Sequence, residues 1–171
     1  MSAVERTRTY SWIAPGELSD AARNMTGLEF ISRSLAGADR PAPIGATIDM
    51  RTVSVKEGEV VFSLVPQEFH YNPLGTVHGG ILSTLLDSAA GCAVHTTLAK
   101  AQGWTSLTLE VKFIRAATAA TGRLLCTGKV VNRGRQIATA EAEIRDEAGK
   151  LYATATTTCM IFAAPGAEAK A

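Results

Sequence analysis

The chain has 171 residues and a mass of 18.0 kDa, enough for one domain with short extensions and too little for two. Hydrophobic residues make up 46% and charged residues 19%, a balance that excludes a mainly disordered chain. Seventeen Lys and Arg against sixteen Asp and Glu leave a formal charge of +1, which excludes the global basic field that holds nucleic acid or an anionic membrane.

Residues 1–16 mix charges with Tyr10, Trp12 and Pro15 without a sustained period and read as a flexible arm. Ser19 or Asp20 is placed to cap a helix running through Leu28, Phe30, Ile31 and Leu35, whose spacing gives one apolar face. Gly37 to Gly45, with Pro41 and Pro43, reads as a loop. Ile48, Met50, Val53 and Val55, then Val60, Phe62 and Leu64 after Glu57-Gly58, predict two hairpin strands. Turn formers crowd 72–80, and a helix of about twenty residues follows from Ile81, apolar or small all round and therefore buried. Four strands are predicted after it: Ser106–Ala116, Gly122–Asn132, Gln136–Asp146 and Leu151–Phe162. Ala163 to Ala171 reads as a flexible tail, leaving 17–162 as the folded domain.

Consecutive antiparallel hairpins twist and curl, and the concave side needs a filling. The apolar helix supplies it. The expected architecture is α+β: a hotdog fold, with a curled antiparallel sheet of about six strands wrapped around a long central helix. The apolar segment 81–99 contains Asp87 and many small residues, so it reads as a core helix and no membrane span is expected. Cys92, Cys126 and Cys159 offer neither a disulfide framework nor a Cys-x-x-Cys pair and read as core filler. With no apolar leader around Glu5, Arg6 and Arg8, a reducing cytoplasm is the expected location.

The chemistry concentrates in Asn72-Pro73-Leu74-Gly75-Thr76-Val77-His78-Gly79-Gly80 and in Asp87. Asp87 is the one Asp, Glu, Lys or Arg between residues 71 and 99, within a helix suited to burial. An ionised carboxylate there is costly unless it is paired or functional. The first turn of a helix leaves N–H groups free at the positive end of its dipole. Gly79 or Gly80 lets a substrate carbonyl approach those donors, an oxyanion-type arrangement suited to acyl transfer. Eight residues of helix separate Gly79 from Asp87 by roughly 12 Å, too far for both to act on one carbonyl. If both act on one substrate, a second copy of the chain must supply one of them, which predicts a homodimer.

Asn72-x-x-Gly75-x-x-His78-Gly79-Gly80, then Asp87, then Leu109-x-Val111-x-Phe113-x-Arg115 resembles the PaaI-like, phenylacetic-acid-degradation type of hotdog acyl-CoA thioesterase. The resemblance extends from about Gly27 to Phe162 and includes Arg133-Gly134-Arg135 and Asp146-x-x-Gly149-x-Leu151. It implies hydrolysis of acyl-CoA thioesters by dimers that often pair into homotetramers. By the same resemblance, Asp87 matches the catalytic nucleophile or general base, and Gly79 the donor to the thioester carbonyl. Asn72 and His78 match side chains lining the thioester, and Ser106 a hydroxyl assisting the carboxylate or its water, with Thr105 adjacent. Thr108 stands where the family usually has an acidic residue.

Arg133 and Arg135 on a strand turn are candidates for CoA phosphates, with Arg115 and Lys129 behind them. Gly80, Leu82 and Leu86, beside Leu85, are expected to border the acyl pocket at the dimer interface. No cofactor is expected, and three His with one isolated Asp predict no metal site. His70 and His95 read as packing or surface histidines, and Gly-x-Ser-x-Gly is absent. Two alternatives stay open: a hotdog hydratase or dehydratase using His78 with an acid, and a non-catalytic acyl-CoA-binding module.

Overall fold

Alternating apolar residues in two strands before the small-residue helix and four after it form a six-stranded, wholly antiparallel sheet, with that helix on its concave side. The architecture is the expected α+β hotdog arrangement. The computed structural model describes residues 4–35 and 42–164; residues 37–41 of the predicted loop and 165–171 of the predicted tail lie outside the described residues. In chain order the elements are α1 (Pro15–Arg23), α2 (Gly27–Leu35), α3 (Pro43–Ile48), β1 (Arg51–Lys56), β2 (Glu59–Leu64), α4 (Gly79–Thr96), β3 (Gln102–Phe113), β4 (Leu124–Arg133), β5 (Ile137–Asp146) and β6 (Leu151–Ala163). Sheet order is β1-β2-β4-β5-β6-β3.

Four details differ from the sequence reading. The predicted N-terminal helix is two helices, α1 and α2. Pro15 starts α1, supplying a preset φ where no N–H is needed, so Ser19 lies inside it with Oγ donating to the Pro15 carbonyl at 3.0 Å. The chain breaks at Thr26 because its hydroxyl and backbone N–H both donate to Glu29 Oε2, at 2.9 and 2.8 Å, and Glu29 N–H returns a bond to Thr26 Oγ1 at 3.3 Å. That reciprocal cap starts α2 afresh. Residues 43–48, predicted as loop and strand, form α3, with Pro43 in its first turn and Asp49 at φ 55° ending it. Finally, β3 starts at Gln102 and pairs with β6, not β4. The connection over 114–123 crosses to the other side of the sheet, held by Val77 N–H donating to the Ala117 carbonyl at 2.8 Å.

α4 is the core. Leu85, Leu86, Ala89, Ala90 and Val94 have no exposed surface, and Leu82 is 3% exposed. Each buried Leu or Val contributes about 1.5–3 kcal/mol. β2, β3, β4, β5 and β6 all touch the helix. The backbones of helix and sheet approach closely at Gly128 on β4, where a Cβ would stand 2.2 Å from the Ala89 carbonyl carbon and oxygen. The C-terminal end is pinned by Gly58 N–H, which donates to Thr96 Oγ1 at 2.8 Å and ties the β1–β2 turn to the helix.

N-terminal to α1, Arg8 lies over the Phe69 ring, 3.9 Å from its centroid, and reaches the last carbonyls of α3 at Ala46 and Thr47. Arg6 pairs with Glu68 at 2.9 Å. Among the described residues no helix is long and apolar enough to cross a membrane.

Gly128→Ala drives a methyl group into the α4 backbone, and overpacking of this kind costs about 1–3 kcal/mol. The urea midpoint of the variant should fall accordingly. An unchanged midpoint would mean that α4 is not held against β4 at this point.

Candidate active site

Residues 70–78 form a narrow loop that delivers the chain to the start of α4. Tyr71 and Val77 make an antiparallel bridge, and His78 N–H donates to the His70 carbonyl at 2.8 Å. Asn72 builds the tip: its Oδ1 accepts from Leu74 N–H at 2.9 Å and Thr76 N–H at 3.3 Å, and its Nδ2 donates to Thr76 Oγ1 at 3.0 Å. Gly75 follows at φ 78°, the left-handed conformation this turn requires. His70 is buried beneath the loop. Its Nδ1 accepts from Gln67 N–H at 3.0 Å, so its Nε2, 3.0 Å from the Ile48 carbonyl, carries the proton and donates. Burial holds its pKa below the ordinary histidine value, favouring this neutral form.

His78 is exposed and caps α4, with Nδ1 accepting from Gly80 N–H at 2.8 Å. Gly80 is thus already satisfied by the cap. Gly79 N–H meets no protein acceptor among the described residues and remains the free donor at the positive end of the helix. The Phe113 ring lies over Gly79, so that a Cβ there would stand 3.1 Å from Phe113 Cζ.

Two turns along α4, Asp87 is half-buried, and its Oδ1 accepts from Ser106 Oγ at 2.8 Å. β3 positions this hydroxyl through its register. Ser106 pairs with buried Cys159 and faces the helix, whereas Thr105 pairs with Met160 on the outer face. A bulge between Ser106 and Thr108 leaves Leu107 outside the ladder, and Thr108 then falls level with Thr158 on the outer face, away from Asp87. Burial and the Asp87 charge push the Cys92 thiol up to about 12, and the same two causes raise Cys159, so both stay protonated and are poor nucleophiles.

The remaining candidates separate from this pair. Leu82 and Leu86 face the chain's own core, Leu86 with no exposed surface and Leu82 3% exposed. Arg133 and Arg135 are exposed on the β4–β5 turn. Arg133 donates to the Gly134 carbonyl at 2.7 Å and to Gln102 Oε1 at 3.3 Å, whereas Arg135 has no protein partner among the described residues. Lys129 is engaged by Glu59 at 3.2 Å. His95 stacks between Phe30 and Trp104, with centroids 5.4 and 6.4 Å away, and burial pushes its pKa down to about 4. No group of three or more His, Cys, Asp or Glu among the described residues is placed to hold a metal ion.

Sequence reasoning singled out neither Phe113 over Gly79 nor Trp104 over Gly91. The available signal was the four-residue spacing of Gly79, Ser83, Asp87 and Gly91, which puts small side chains along the helix face that meets β3.

Residues 74–153 match the thioesterase superfamily. A 112-residue stretch is 32% identical to an Archaeoglobus fulgidus protein described as a candidate esterase, spanning 65% of this chain and 70% of that one. Human acyl-coenzyme A thioesterase 13 is 29% identical over 102 residues, 59% of this chain and 71% of that one. Among solved structures, a phenylacetic acid degradation-related protein of Ralstonia eutropha JMP134 superposes with a TM-score of 0.67 at 33% identity, covering 75% of this chain and 97% of that one. The chain belongs to the thioesterase superfamily.

Proposed function

We propose that the protein is a homodimeric hydrolase of acyl-CoA thioesters. The observation that carries this reading is the Ser106–Asp87 hydrogen bond, which orients a half-buried carboxylate on α4 and leaves Asp87 Oδ2 unclaimed by any protein donor among the described residues. In the proposed reaction Asp87, oriented by Ser106 through Oδ1, takes a proton through its free Oδ2 from a water, and the hydroxide attacks the thioester carbonyl carbon. Negative charge on the carbonyl oxygen is met by Gly79 N–H at the head of a second chain's α4. The carbon–sulfur bond then breaks, giving the carboxylic acid and CoA thiolate, which takes up a proton. His78 and Asn72 shape the loop beside the thioester: His78 fixes the helix cap and Asn72 fixes the tip.

Support for a shared site comes from the sheet edge. β3 pairs on one side only, leaving a twelve-residue edge, and Phe113 is 56% exposed although it covers Gly79. Long open edges recruit further strands. An antiparallel pairing of two β3 edges, with its two-fold axis near Leu109 and Glu110, brings the Phe113 end of one chain toward the Ser106 end of the other. Gly79 of the first then approaches Asp87 of the second. The hydratase alternative fits less well, because it needs a His paired with an acid, whereas Asp87 pairs with Ser106 and His78 serves as the helix cap.

Release of free CoA thiol from a panel of acyl-CoAs tests the activity. Asp87→Asn should lower kcat by about a hundredfold or more with the fold intact, the scale of lost general-base help. Near-native turnover in that variant would remove Asp87 from the reaction.

Arg135 is the exposed cation proposed to meet a CoA phosphate. Arg135→Ala should raise KM for acyl-CoA about tenfold and leave kcat nearly unchanged, since a remote contact acts equally in ground and transition states. A pantetheine thioester lacking the nucleotide should not sense the change. Equal losses on both substrates would return Arg135 to the solvated surface.

A further inference from the structure

α4 and β3 face each other through successive contacts. Asp87 meets Ser106; one turn further along the helix, Gly91 meets Trp104. Trp104 precedes Ser106 by two residues and pairs with buried Ile161, so both side chains lie on the helix-facing side of β3. The benzo edge of the indole rests directly on the helix backbone. A Cβ at Gly91 would stand 1.9 Å from Trp104 Cη2, 2.4 Å from Cζ3 and 2.8 Å from Cζ2. Behind the indole come the His95 and Phe30 rings, continuing the wall. Trp104 itself is half-buried and keeps an accessible surface.

We propose that Trp104 is a specificity-determining residue whose indole closes the acyl pocket one helical turn beyond Asp87 and restricts turnover to short acyl groups. This rests on the reading of Asp87 as the carboxylate that acts on the thioester. The two contacts are four residues apart on α4, roughly 6 Å of helix rise, the reach of a butyryl to hexanoyl chain. Longer chains meet a rigid ring. It cannot retreat toward the helix, because only the missing Cβ of Gly91 leaves it room, and it cannot retreat toward β6 without displacing Ile161. A close-packed interior yields to such a displacement only at a large cost.

The test measures kcat/KM for acetyl-, butyryl-, hexanoyl-, decanoyl- and palmitoyl-CoA by thiol release, in the native chain and in Trp104→Ala and Trp104→Phe. The native enzyme should lose at least about tenfold between hexanoyl and decanoyl, the discrimination that a few methylenes in a closed pocket supply. Trp104→Ala should raise the decanoyl-to-butyryl ratio at least about tenfold, and Trp104→Phe should raise it less. If Trp104→Ala fails to fold, Trp104→Phe, which keeps a ring in place, decides the matter by the same ratio. An active enzyme whose ratio is unmoved by either Trp104 change overturns the assignment to Trp104 and leaves the thioesterase reading standing. Absence of thiol release from every acyl-CoA, or full turnover in Asp87→Asn, overturns both.

Discussion

Close approach of α4 to the concave face of the sheet is the constraint on which the rest depends. An eighteen-residue helix sits inside a curled sheet only where side chains are small enough to let backbones meet. Gly128 against Ala89 and Ala90 provides that meeting on β4, while Gly91 makes room for the Trp104 indole on the β3 side. Once the helix is seated, its N-terminus lies beneath Phe113 at one end of β3, and Asp87 lies opposite Ser106 nearer the other. Site geometry is therefore a consequence of helix seating, with the loop 70–78 fixing where the first turn starts.

The placement of polar groups follows a common logic. Within the described residues the buried side-chain polar atoms all have partners. Asn72 and His78 spend hydrogen-bonding capacity on local structure, and His70 ties the loop to the end of α3. Among the groups that the described residues leave without a partner at the site are the Gly79 N–H and one oxygen of Asp87. A donor at the positive helix end and a carboxylate acceptor are the complementary halves of thioester hydrolysis. The helix rise that separates them within one chain, roughly 12 Å, is what makes a second chain part of the proposed site.

Much of the fold was legible in the sequence because strand alternation and the buried helix carry strong periods. The Gly-Gly start of α4, Asp87 and the four late strands all follow from local pattern. Helix boundaries at the N-terminus were not legible, because the Thr26–Glu29 cap lies within an apolar period that runs on across it. β3 pairing with β6 instead of β4 was hidden as well, since a ten-residue connection is compatible with either neighbour. For the site, residue types were visible and their engagements were not. Nothing in the sequence alone shows that Gly80 N–H is taken by His78, that Leu82 and Leu86 face inward, or that Trp104 rests on Gly91. Those facts depend on which face of an element meets which neighbour, a long-range property.

Subunit-exchanged hybrids test the shared site most directly. One chain carries Asp87→Ala and the other Gly79→Pro, a change suited to a first helical position that removes the proposed donor and sets its ring against Phe113. Each parent homodimer should be inactive toward acyl-CoA, and a mixed population verified by mass spectrometry should regain turnover, because every heterodimer holds one site with both groups intact. Hybrids that form and remain as inactive as their parents would contradict a site built from Gly79 of one chain and Asp87 of the other.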